Sequence, residues 1–222
     1  MKKIILCLFV FGCILNADTA TVGFNNADPW VVVPGTNFLA GPYNLNVNGV
    51  LTPAMCMDDF LEVGGPWTAN VTNVNGPDFS NTYLGSGPVT IHGYTVPTSL
   101  VYQTEAYLFS ELIQPSADRA NLQLAAWAIM DANTLDNVIS HNNTTVENDI
   151  LGAYEAVTNA KSAFNPANYE ILSDVNPNTT GRSQEFIVAT PEPSTYLLFG
   201  SGLLIAGVMR FSRRRKQAVT TN

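Results

Sequence analysis

Between residues 21 and 190 the chain carries a single thiol, Cys56, set in Ala54-Met55-Cys56-Met57-Asp58. A thiolate is a strong nucleophile, so a lone cysteine either does covalent chemistry or packs as a small apolar group. Cys7 and Cys13 fall in an N-terminal leader, which leaves Cys56 without an internal disulfide partner, an unusual state for an exported domain. Zinc is not expected, because His92 and His141 add too few ligands to one cysteine, and the same histidines have no Gly-x-Ser-x-Gly partner to make a serine hydrolase. Asp58, Asp59 and Glu62 offer oxygen ligands, but the calcium-loop spacing with its glycine and terminal glutamate is absent, so no metal and no cofactor are expected. Carboxylate pairs for glycoside hydrolysis are defined by separation in space and have no sequence signature here. The other conspicuous segment is Leu122-Gln123-Leu124-Ala125-Ala126-Trp127, whose Gln123 lies 67 residues after Cys56.

Together these two segments resemble the paired motifs of bacterial thioester domains: a Cys after an apolar or aromatic residue, and a Gln followed by small or apolar residues and Trp. The resemblance spans roughly residues 40–188, including the intervening Tyr102 to Ile113 segment. It implies that the Cys56 sulfur attacks the Gln123 carboxamide, that ammonia leaves, and that a buried thioester remains. Met55, Asp58 and Trp127 would surround that bond, and an amine or hydroxyl on a target surface would capture the acyl group. Two residues depart from the family pattern, Leu122 where Thr is common and Met55 where an aromatic is common, and both keep the surroundings apolar. The same residues also have a purely architectural reading, with Gln123 facing solvent on a helix, Trp127 packing in the core and Cys56 a small buried hydrophobe.

The elements that must position these residues read as α+β. From Thr21 to about Val96, alternation such as Tyr43-Asn44-Leu45-Asn46-Val47-Asn48 and turns such as Asn48-Gly49 predict an N-terminal β-rich part, sandwich or barrel-like. A strand over Leu51 to Met57 would carry Cys56. A three-helix segment follows. The first helix has its stripe at Tyr102, Ala106, Phe109 and Ile113, with Ser99 as N-cap and Pro115 as stop. The second covers Ala117 to Asp131, and the third covers Val146 to Phe164, opened by a Thr144-x-x-Glu147 capping box and striped by Ile150, Tyr154, Val157 and Lys161. Two late strands, Tyr169 to Leu172 and Glu185 to Val188, complete the domain, and the order of strands, helices and strands separates it from an alternating α/β sheet.

Both ends of the chain read as export signals. Residues 1–20 have the order of a secretory signal peptide, with Lys2 and Lys3, an apolar run from Ile4 to Leu15, and cleavage after Ala17 or Ala20. A lipoprotein leader using Cys13 is a minor alternative, because bulky Phe11 stands where a small residue is usual. Residues 21–190 form the exported domain. At the other end Pro191-Glu192-Pro193 precedes an apolar stretch from Tyr196 to Met209, then Arg210, Arg213, Arg214 and Arg215 as a membrane stop. The prolines keep the segment extended and accessible to a protease cleft. The arginines stay cytoplasmic by the positive-inside rule, so the stretch reads as a single C-terminal transmembrane helix with the body outside. This tripartite tail, residues 191–216 with 217–222 trailing in the cytoplasm, resembles the PEP-CTERM sorting signal of bacteria that make exopolysaccharide. The resemblance implies an exosortase-like processing enzyme as partner and transient anchoring in the membrane.

Charge narrows the remaining partners. The exported domain has Arg119, Lys161 and Arg182 against 16 acidic residues, a net charge of −13. Nucleic acid is excluded, because phosphate backbones need a basic face. The expectation is a non-enzymatic protein, secreted through the inner membrane to the cell surface or extracellular matrix, that attaches to a polysaccharide or to surface amines or hydroxyls. The alternative is a passive structural component of an exopolysaccharide matrix with no thioester.

Overall fold

The computed structural model describes residues 19–25, 31–33, 38–58, 65–91, 93–141, 143–159, 162–176 and 183–190. Along the chain come β1 (Thr19–Asn25), β2 (Val31–Val32), β3 (Leu39–Ala40), β4 (Tyr43–Val47), β5 (Val50–Cys56), β6 (Trp67–Asn73), β7 (Pro88–Ile91) and β8 (Tyr94–Pro97). Helices α1 (Thr98–Leu112), α2 (Arg119–Met130), α3 (Ala132–Ser140) and α4 (Thr144–Thr158) follow, then β9 (Tyr169–Asp174) and β10 (Phe186–Ala189). Six strands close into an antiparallel barrel in the order β1-β4-β5-β10-β9-β6, so the two late strands complete a sheet begun at the N-terminus. Closure answers the edge groups that an open sheet would leave unpaired. The pairs β2-β3 and β7-β8 form separate hairpins.

Strand alternation sorts the side chains into two cores. Val22, Tyr43, Leu45, Cys56, Leu172 and Phe186 share one cluster among the barrel strands. Their neighbours Met55, Ile171 and Ile187 belong to the cluster shared with α1, α2 and α4. Phe186 sits 6.0 Å from both the Tyr43 and Trp67 rings, so truncating it to Ala would cost about 3–5 kcal/mol. The hairpin that places Cys56 turns at Asn48 and Gly49, with φ of 51° and 86°, the left-handed values a two-residue loop between twisted strands requires. Register then follows: Tyr43 opposes Ala54, and Cys56 opposes Phe186. A one-residue slip would move Cys56 to the opposite face.

The helical part differs from its expected form in four places. Among the described residues there are four α-helices, because the chain breaks at Asp131, which is extended at ψ 124° and accepts hydrogen bonds from the amides of Asn133 and Thr134. A residue expected to end α2 therefore starts α3. The N-cap of α4 is Asn143, accepting from Val146 N–H, and Thr144 is inside the helix. That helix ends at Thr158, and its inward residues are Val146 and Ala153, which leaves Tyr154 exposed. α1 starts at Thr98 after Pro97, with Ser99 already inside it and Ile113 exposed at its end.

The barrel also bears on the leader. Ala20 is buried in β1 opposite Ala69. Cleavage after Ala20 would remove part of that strand, whereas cleavage after Ala17 leaves it whole. Among the described residues no helix is long and apolar enough to cross a membrane. The apolar stretch expected to do so, Tyr196 to Met209, lies outside them.

Candidate functional site

β5 carries Cys56 as its last residue, and α2, packed against β5 and the β2-β3 hairpin, carries Gln123. Far from facing solvent, the Gln123 side chain is completely buried. A buried carboxamide has to find partners for both its ends, and here both are main-chain groups. Its Nε2 donates to the Cys56 carbonyl at 2.5 Å, and its Oε1 accepts from Gly41 N–H at 3.4 Å. The Cys56 thiol, 1% exposed, donates to the Asp58 carbonyl at 2.8 Å. Two residues 67 positions apart are thus in direct contact and shut away from water.

The expected surroundings divide. Trp127, one turn after Gln123, is buried with Val33 and Ala40 and meets the Phe38 ring edge-on at 5.6 Å. Its indole N–H is buried and has no hydrogen-bond partner among the described residues. Met55 is fully buried but faces the helices, on the side opposite Cys56. Tyr43 lies within electrostatic reach of Cys56. Burial, and after it Cys56, holds its phenol above the ordinary value, and its hydroxyl donates to the Leu39 carbonyl. Asp58 turns inward: its Oδ2 accepts Glu185 N–H at 3.0 Å, and its carbonyl also accepts from Gln184 Nε2 at 3.1 Å. Asp59, Glu62 and His92 lie outside the described residues, among which no group of three or more metal-ligating side chains assembles.

Asp58 also opens onto a second polar centre that composition and spacing did not reveal. Glu185, fully buried, accepts from Ser173 Oγ at 2.5 Å, Tyr83 N–H at 2.6 Å and Tyr102 Oη at 3.0 Å. Burial raises its carboxyl above the ordinary glutamate range despite these bonds. Glu105 of α1 is also fully buried, and among the described residues neither of its oxygens has a hydrogen-bond partner. Desolvation first, and the nearby Glu185 second, push its carboxyl well up. One signal was readable: Glu105 stands four residues from both Val101 and Phe109, inside the apolar stripe of α1.

A cavity of about 170 Å³ lies elsewhere, between the β7-β8 hairpin and the helices, lined by Ile91, Val96, Leu100, Ala128, Ile129 and Ile150 among others. Neither Cys56 nor Gln123 touches it.

The predicted sorting residues Pro191, Glu192, Pro193, Arg210, Arg213, Arg214 and Arg215 lie outside the described residues. No curated protein and no solved structure matches this chain. Its C-terminal segment, residues 189–216, does match a family model, the PEP-CTERM protein-sorting motif. That motif implies processing by an exosortase and export to the cell surface or extracellular space.

Proposed function

We propose that Cys56 and Gln123 condense into an internal thioester, and that the exported domain spends this acyl bond once, as a non-enzymatic covalent anchor to a target outside the cell. The observation that carries the reading is the contact between Gln123 Nε2 and the Cys56 carbonyl. The reaction exchanges two hydrogen bonds, thiol to Asp58 O and carboxamide to Cys56 O, for one covalent bond with loss of ammonia. Burial of both residues supports it, since an acyl thioester open to water would hydrolyse before use. The tail holds the protein in the membrane by its apolar stretch and arginines until an exosortase removes it. The target is then a polysaccharide or surface group bearing an amine or hydroxyl. A domain of net charge −13 disfavours anionic polymers unless divalent cations bridge them.

The intact mass of the full exported chain, kept without reductant, tests this. A mass one ammonia below the sequence value, with methylamine adding at Gln123, is the expected result. The sequence mass, with Cys56 open to alkylation in the unfolded chain, overturns it. One observation favours the second reading, a passive matrix protein: the Cys56 thiol and both ends of the Gln123 carboxamide already have hydrogen-bond partners, as a purely structural joint would require.

A further inference from the structure

Attack on an amide or thioester carbonyl moves negative charge onto its oxygen, so the group holding that oxygen governs the reaction. Here the oxygen is Gln123 Oε1, and the group aimed at it is the main-chain N–H of Gly41. Chemistry fixes which end of the carboxamide faces which partner. The Gly41 amide can only donate and must meet the oxygen, while the Cys56 carbonyl can only accept and must meet the amine.

Position 41 has no room for a side chain beside Tyr43. A Cβ there would fall 2.9 Å from both Cδ2 and the main-chain nitrogen of Tyr43, so any side chain would displace the peptide or the ring. The short segment joining β3 to β4 is held on both sides. Tyr43 hydroxyl donates to the Leu39 carbonyl, and Ala40 is buried with Val33 against Trp127. The Gly41 dipole is therefore oriented before any bond is made, which is the condition for electrostatic stabilisation without reorganisation at the moment of reaction.

We infer that the Gly41 N–H is the oxyanion donor of the Cys56–Gln123 site, an inference that rests on the thioester reading. In bond formation the sulfur attacks Gln123 Cδ and the carbonyl electron pair moves to Oε1. The pair then returns, the C–N bond breaks, and the thiol proton leaves with the nitrogen as ammonia, with no change of oxidation state. In capture an amine or hydroxyl attacks the same carbon, the C–S bond breaks, and the sulfur takes up the proton that the nucleophile loses. Both adducts place charge on Oε1, so one donor serves both directions. The ground-state distance of 3.4 Å is long for an amide hydrogen bond. Shortening as charge develops makes the contact stronger in the transition state than before it, which is what accelerates a step.

Two measurements on the full chain test this. The first is the rate at which methylamine opens the thioester, since aminolysis passes through the same kind of adduct as bond formation. Gly41→Ala, which displaces the peptide, is expected to slow opening on the order of 10- to 100-fold while cooperative unfolding is retained. An unchanged or faster rate overturns the inference. The second needs no variant and stands if Gly41→Ala does not fold. With 13C-labelled glutamine in the wild-type chain, the thioester carbonyl band is expected below that of a simple alkyl thioester in hydrocarbon solvent, as a hydrogen-bonded carbonyl requires. A band at the hydrocarbon position overturns the donor while leaving the thioester intact. A wild-type mass without ammonia loss removes the thioester reading itself, and the inference with it.

Discussion

Two buried polar regions meet at Asp58, and they are built on opposite principles. On one side the Cys56–Gln123 pair is neutral, and each end of the carboxamide is answered by a main-chain group. On the other, two buried glutamates lie within electrostatic reach of each other, Glu185 answered by three donors and Glu105, among the described residues, by none. Burying a satisfied neutral group costs little, whereas burying a carboxyl without a partner costs either a desolvated charge or a retained proton. At Cys56 the first region can therefore lose its chemistry with little effect on stability. In the second, stability and protonation are the same variable.

The largest effect is expected where that second region is broken at its centre. Glu185→Ala would strand the buried Ser173 and Tyr102 hydroxyls and remove the carboxylate that receives the Tyr83 N–H. The expected loss is about 3–5 kcal/mol, a large share of the roughly 5–15 kcal/mol that holds a domain together. A urea midpoint that falls sharply with an unchanged m value is the confirming result. Next comes Gln123→Ala, which removes two hydrogen bonds, the donor to the Cys56 carbonyl among them, and opens a cavity beside it. About 2–3 kcal/mol is expected by the same measurement, with the ammonia-loss mass abolished. If Gln123→Ala proves as costly as Glu185→Ala, the joint is structural in the same sense as the acid centre and the contrast fails.

How far this was legible in the sequence follows the range of the interactions. The β4-β5 hairpin announces itself because alternation and left-handed turn residues act between neighbours, and Asn48-Gly49 can be read directly. Barrel closure cannot, since β10 comes to lie between β5 and β9 only when strands 130 residues apart in the chain pair, as Cys56 does with Phe186. Asp131 misled for a related reason: a helix ending and a helix capping residue look alike until the amides of Asn133 and Thr134 are seen to bond to its side chain. For the site, the side chains of Cys56 and Gln123 were visible as types with a spacing. Gly41 contributes a main-chain N–H, which every residue but proline possesses, so nothing in its letter distinguished it. Glu105 was visible as an anomaly in an apolar stripe, but its significance needed Glu185, brought beside it from the far end of the domain.

The unanswered carboxyl of Glu105 gives the third prediction, and its sign follows from linkage. Its folded-state pKa is raised, so the stability it contributes is present below the ordinary value of 4.5 and is lost as pH rises from there through the folded-state value. The raised carboxyl of Glu185 acts in the same direction. Glu105→Met replaces the carboxyl with an apolar group of similar size and is expected to raise the melting temperature at pH 7 by several degrees, at about 2–4 °C per kcal/mol for a domain of this size. At pH 4 the gain should shrink. A variant that gains equally at both pH values would mean that burial does not raise the Glu105 carboxyl, and the acid centre would lose its distinguishing property.

The smallest effect on stability separates the two regions most sharply. Cys56→Ser keeps a donor two residues from the Asp58 carbonyl and nearly the same volume, so unfolding should shift by only about 1 kcal/mol. Yet the sulfur is the attacking atom and later the leaving group, and an ester through serine would neither form as readily nor yield as readily to an amine. The expected outcome is a chain as well folded as the wild type whose attachment to its target no longer survives denaturant. No substitution at Glu185 can produce that separation, because its hydrogen bonds are its role. Attachment that resists denaturant in both wild type and Cys56→Ser would move the chemistry elsewhere in the molecule, and attachment in neither would make the joint a packing solution alone.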